Sequence, residues 1–115
     1  MRDLKVRTKK FTIDCWKLCK QFPKNREFDA FIRQLIRSSS SVGANYRAAS
    51  RAKSNRDFIN KLKIVEEEAD ESMFWLEILL EVSEVDPDEI KRLINEANEL
   101  LAIMVSSIKT VRKKI

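Results

Sequence analysis

Apolar residues at steps of three and four run from Phe28 through Phe31, Ile32, Leu35, Val42 and Tyr46 to Ala49. They pass straight through Ser38, Ser39, Ser40, Ser41 and Gly43, a run that local composition alone would assign to a loop. The spacing is that of one helical face, so the reading is a helix that continues through the small residues. Small side chains lower helix propensity, and a helix that keeps several uses them where a neighbouring backbone comes close. Residues 34–51 are therefore expected to be a packing segment around which the rest is organised.

One glycine and two prolines in 115 residues are too few for the turns of a β-rich chain, and 36% of the residues are charged. An all-α fold in a single domain, residues 1–115, follows. The basic N-terminal stretch lacks the apolar run of a signal peptide, and charges interrupt every segment before the ~20 residues a membrane span needs. The expected location is cytoplasmic, without membrane contact. Cys15 and Cys19 stand four apart among apolar residues and read as packing residues. With no histidine in the chain, they lack the partners a metal site needs, and no metal or cofactor is expected.

A first helix is expected over residues 4–22, with Phe11, Cys15, Leu18 and Phe22 on one face, Trp16 on its shoulder and Pro23 as its stop. A second follows over 26–52, capped by Asn25 and with Glu27 and Asp29 in its first turn. Ser54 and Asp57 open a third, whose ladder is Phe58, Leu62, Val65, Ala69, Met73, Leu76 and Leu80. Its second apolar edge, Phe74, Trp75, Ile78 and Val82, is more than one core requires. Asp86 as cap, Pro87 at the first helical position and Glu89 three beyond the cap open a fourth, apolar from Ile90 to Val111. Loops this short make consecutive helices antiparallel neighbours, which gives an antiparallel up-and-down four-helix bundle.

In that topology the start of the first and third helices and the end of the second and fourth share one pole. Residues 57–90 carry two Lys/Arg against twelve acids, whereas the rest of the chain is strongly cationic and the net charge is +5. The candidate nucleic-acid-binding residues at the pole are Arg2, Lys5, Arg7, Lys9, Lys10, Arg47, Arg51, Lys53, Arg56, Lys109, Arg112, Lys113 and Lys114. Such a concentration of like charge suits phosphate backbones, and no base-reading motif accompanies it. The acids of the third helix read as intramolecular partners: the hairpin register sets Arg37 beside Glu67, Asp70 or Glu71 in a largely desolvated seam. No histidine or glycine-rich loop is available for catalysis, and the serines lack a partnered base, so a non-enzymatic role is expected. The small residues Ser38, Ser41, Ala44 and Ala48, with Phe74, Trp75 and Ile78, are the candidate oligomer interface.

The stretches Gln34-Leu35-Ile36-Arg37-Ser38, Ser41-Val42-Gly43-Ala44-Asn45-Tyr46-Arg47-Ala48-Ala49, Glu67-Glu68-Ala69-Asp70-Glu71-Ser72 and Phe74-Trp75-Leu76-Glu77 carry a resemblance. With them the chain resembles the bacterial four helix bundle protein family. That family includes proteins encoded within intervening sequences of large-subunit ribosomal RNA genes and the accessory variability determinant of diversity-generating retroelements. The resemblance implies a homopentamer with a basic surface and, in retroelement members, a partner role with a reverse transcriptase and RNA. It supplies no catalytic residue. The leading reading is thus an oligomeric accessory protein that binds nucleic acid, RNA first, through phosphate contacts. The alternative is a self-assembling structural or protein-interaction module that binds no nucleic acid.

Overall fold

Three of the four helices begin at a side chain that takes up free amides of the first turn. The computed structural model describes residues 3–115. The Asp3 carboxylate accepts from the amides of Lys5 and Val6 and opens α1, Leu4–Cys19. Asn25 Oδ1 accepts from the Phe28 amide at 2.8 Å and opens α2, Arg26–Ala49. Ser54 Oγ accepts from the Asp57 amide at 3.0 Å and opens α3, Asn55–Val82, while the Asp57 carboxylate accepts from the Lys53 amide. The fourth helix, α4, spans Pro87–Arg112.

The structure corrects the expected ends and one cap. α1 and α2 stop before residues 22 and 52. Their last turns tighten, with the Leu18 and Cys19 carbonyls accepting from Gln21 and Phe22, and those of Ala48 and Ala49 from Arg51 and Ala52. Asp86 does not cap α4 through its side chain; it lies at φ 42°, in the left-handed region. Pro87 disfavours the right-handed helical region for the residue before it, and aspartate is among the few side chains that tolerate the left-handed one. The Asp86 carboxylate instead accepts from Gln21 Nε2 at 3.2 Å, and Glu89 pairs with Arg92.

Each helix packs on its sequence neighbours, and α4 closes on α1, giving a body of 48 × 21 × 20 Å. Phe11, Leu35, Leu62, Leu76, Leu93 and Leu100 are enclosed in the shared core. Each such side chain is worth about 1.5–3 kcal/mol of burial. On α3 the expected Leu62, Val65, Ala69 and Leu76 are buried, joined by Ile59, Ser72 and Leu79, while the expected Phe58, Met73 and Leu80 are half-buried beside them. Cys15 and Cys19 are buried free thiols.

α2 serves two neighbours with its small residues. Toward α1, a Cβ on Gly43 would stand 2.8 Å from Thr12 Oγ1 and 3.4 Å from the Thr8 carbonyl. Thr12 donates its hydroxyl to the Ser39 carbonyl at 2.6 Å across the same contact. Toward α3, Ser72 Oγ donates to Ser38 Oγ at 2.8 Å, both side chains being buried. Ser38 is therefore an internal contact between helices and leaves the expected oligomer face. Ser41 and Ala48 are half-buried, Ala44 is exposed, and on α3 Phe74 is 51% exposed beside half-buried Trp75 and Ile78.

The two lateral seams are built differently. Between α2 and α3, Arg37 pairs with Glu68 and Glu71, Glu71 also accepts from the Trp75 indole, and Phe31 packs on Trp75. The pairing of Arg37 with a third-helix carboxylate is as expected, but with its side chain 50% exposed the seam is half in water rather than desolvated. Between α1 and α4 the side-chain hydrogen bonds are ionic: Arg7 meets Glu96 and Glu99, and Arg92 meets Asp14 at 2.8 Å.

Candidate nucleic-acid interface

Alternating helix direction brings the start of α1, the end of α2, the start of α3 and the end of α4 to one end of the bundle. Lys5 and Lys9 from α1 and Arg47 and Arg51 from the end of α2 line a groove of about 580 Å³ whose floor is Gly43 and Ala44. The small floor residues let the two helices approach and leave the groove open above them. Its acid, Asp3, is committed to the α1 amides. Lys53 and Arg56 at the start of α3, and Lys109, Arg112, Lys113 and Lys114 at the end of α4, are exposed as well. Among the described residues, none of these ten cations has a carboxylate within salt-bridge distance.

Arg7 belongs elsewhere, and its expected role is corrected. It turns into the α1–α4 seam, donating through Nε and Nη2 to Glu96 at 2.6 and 2.7 Å and through Nη2 to Glu99 at 2.5 Å. Its side chain is 14% exposed, and the Glu96 hydrogen bonds outweigh burial to hold its proton more tightly than usual. Lys10 is exposed but donates to Asp14 at 2.8 Å on its own helix. Arg2 lies outside the described residues.

At the other end of the body the cations are mixed with acids: Arg26 stands 3.7 Å from Glu27, Lys20 and Lys24 share a hollow with Asp29, and Glu84, Asp86 and Asp88 stand at the turn between α3 and α4. The sequence reading set Trp16 on the shoulder of α1 but missed Val6 and Ile13, which are exposed with it on the same outer edge. Their steps of seven and three were the available signal, overlooked because the buried face of the same helix is more strongly apolar.

Burial pushes the Cys15 and Cys19 thiols up, Cys19 to about 12, so at neutral pH both stay protonated and poorly nucleophilic. No helix of the described residues is long and apolar enough to cross a membrane.

These features define an all-α protein, an antiparallel four-helix bundle with a cation-rich end. The chain belongs to the 23S rRNA-intervening sequence protein family, whose model matches residues 2–106. Among solved structures it is similar to a protein of unknown function from the S23 ribosomal protein family of Bacteroides thetaiotaomicron VPI-5482. The two are 32% identical with a TM-score of 0.84, over 93% of this chain and 99% of that one. No curated protein matches the chain.

Proposed function

We propose that the protein is a non-enzymatic, oligomeric accessory protein that binds nucleic acid, RNA first, through phosphate-backbone contacts at its cation-rich end. The observation that carries this reading is the set of exposed cations around Arg47 and Arg51 that, among the described residues, have no carboxylate within salt-bridge distance. Unmatched like charges repel one another, and a polyanion relieves that repulsion while releasing its counterions. The chain belongs to a family named for the 23S rRNA intervening sequence, a name that refers to where such proteins are encoded, and this makes RNA the first polyanion to test. Five subunits is the number the family resemblance implies, and a reverse transcriptase is the further partner it implies for retroelement members.

The test is RNA binding measured across a salt series. Affinity should fall linearly on a double-logarithmic plot, with a slope near −0.7 to −0.9 per phosphate neutralised. Arg47→Glu with Arg51→Glu should weaken binding of every sequence alike and flatten the slope by about one for each phosphate no longer neutralised. Absence of binding at low salt ends the reading.

A second reading, a self-assembling module without nucleic acid, is favoured by exposed Phe74 and Val82 beside Trp75 on α3. An apolar interface responds weakly to salt, so an assembly that persists at high salt and is dispersed by Phe74→Glu, in a protein that ignores RNA, would select it.

A further inference from the structure

The groove at the cation-rich end does not stop there. Thr12, Ile13 and Ser40 line both it and an adjoining hollow of about 190 Å³. That hollow shares Trp16 and Ile36 with a third, of about 390 Å³, which reaches Lys20 and Lys24. The outer seam of α1 and α2 is thus one continuous trough. From Val6 to Lys20 it runs along fourteen residue steps of α1, about 21 Å at the helical rise.

Three properties of the trough select its occupant. Cations stand at both ends, with Asp29 as the acid of the far one. Its middle is apolar, walled by Ile13 and Ile36, and holds Trp16, whose side chain is 51% exposed. The trough is the cleft between two neighbouring helices of a body only 21 × 20 Å across, a fraction of that width, so a single strand can lie along it whereas a duplex could only touch its rims. One face of the Trp16 ring already carries a cation, Lys20 Nζ at 4.9 Å from the centroid. A base laid on that face would take the place of the ammonium, leaving it beside the neighbouring phosphate.

We infer that the α1–α2 trough is a track for single-stranded RNA of a few nucleotides, with Trp16 as the residue on which a base stacks. The inference rests on the RNA-binding reading above and adds to it a strand type, a path and a residue outside the cation-rich end. Base stacking on an exposed aromatic is tolerant of sequence, so the track selects strandedness rather than sequence.

The experiment follows indole emission in a Trp75→Phe background, where Trp16 is the only tryptophan. The titrants are a short oligouridylate, an RNA duplex of the same length and polyglutamate. Oligouridylate should quench Trp16, while duplex and polyglutamate leave it largely unchanged. Trp16→Ala should weaken oligouridylate binding roughly tenfold with duplex binding unaltered, and Trp16→Phe should restore most of the loss. Circular dichroism confirms that each variant keeps its helices. RNA binding that is lost with Arg47→Glu but indifferent to Trp16→Ala overturns the track and spares the general reading. Equal quenching by duplex overturns the strand assignment, and equal quenching by polyglutamate overturns the stacking role, leaving a groove that responds to charge alone. Failure of both RNAs to bind at low salt removes the track and the general reading together.

Discussion

Gly43 stands where α1 and α2 come closest, and its substitution sets two effects against each other. Alanine would gain about 1 kcal/mol of helix propensity. Its Cβ would meet Thr12 Oγ1 at 2.8 Å, and that hydroxyl is held by the Ser39 carbonyl. Displacing it loses a hydrogen bond worth about 1 kcal/mol and adds overpacking of about 1–3 kcal/mol. Gly43→Ala should therefore destabilise by about 1–3 kcal/mol in urea unfolding, and in a Thr12→Ala background the same change should be neutral or stabilising. A stabilising single substitution would contradict the close approach. Asp14 supplies the residue-scale pH dependence. Burial raises its carboxyl, but hydrogen bonds from Lys10 and Arg92 outweigh this and hold it below the usual range. Glu71 is lowered in the same direction by the Trp75 indole and then Arg37. Groups that titrate lower folded than unfolded contribute fully above the ordinary carboxylate range of about 4 and lose that contribution as pH falls through the lowered value. Stability should drop as pH falls below about 4, and Asp14→Asn should be less stable at pH 7, by about 1 kcal/mol, with a shallower acid limb in thermal unfolding.

At the scale of elements, what the sequence revealed was what depends on neighbours along the chain. Asn25, Ser54 and Pro87 mark helix starts because the groups they serve or replace lie within the first turn. The helix through the serines was legible from its flanking apolar steps, and the close approach at Gly43 from its small residues. Asp86 was misread because a cap and a left-handed turn use the same residue types, and only the path of the preceding turn past Gln21 separates them. The buried face of α3 was set one position off at Phe58, Met73 and Leu80, where adjacent apolar pairs fit either register and Ser72 reads as polar. At the candidate site, alternating helix direction was enough to gather Lys5, Lys9, Arg47 and Arg51. Nothing local shows that Glu96 and Glu99, one turn apart on α4, reach Arg7 on α1 and withdraw it from the surface.

For the molecule as a whole, the four seams differ in kind. Core packing holds α1 to α2, α2 to α3 and α3 to α4, with Arg37 added at the α2–α3 edge, whereas α4 meets α1 over a narrower contact whose side-chain hydrogen bonds run through two arginines and their carboxylates. Guanidinium ions share the arginine head group and compete for Glu96, Glu99 and Asp14, while urea carries no charge to do so. With Trp16 on α1 as the reporter in a Trp75→Phe background, indole emission should change at lower guanidinium concentration than helicity does, and the two should coincide in urea. Coincidence in both denaturants would contradict an ionic closure. The bundle is in this sense a cylinder with one clasped side, and because the clasp is made of groups that water and salts can imitate, the first helix is the part of the fold that the surrounding solution can address chemically.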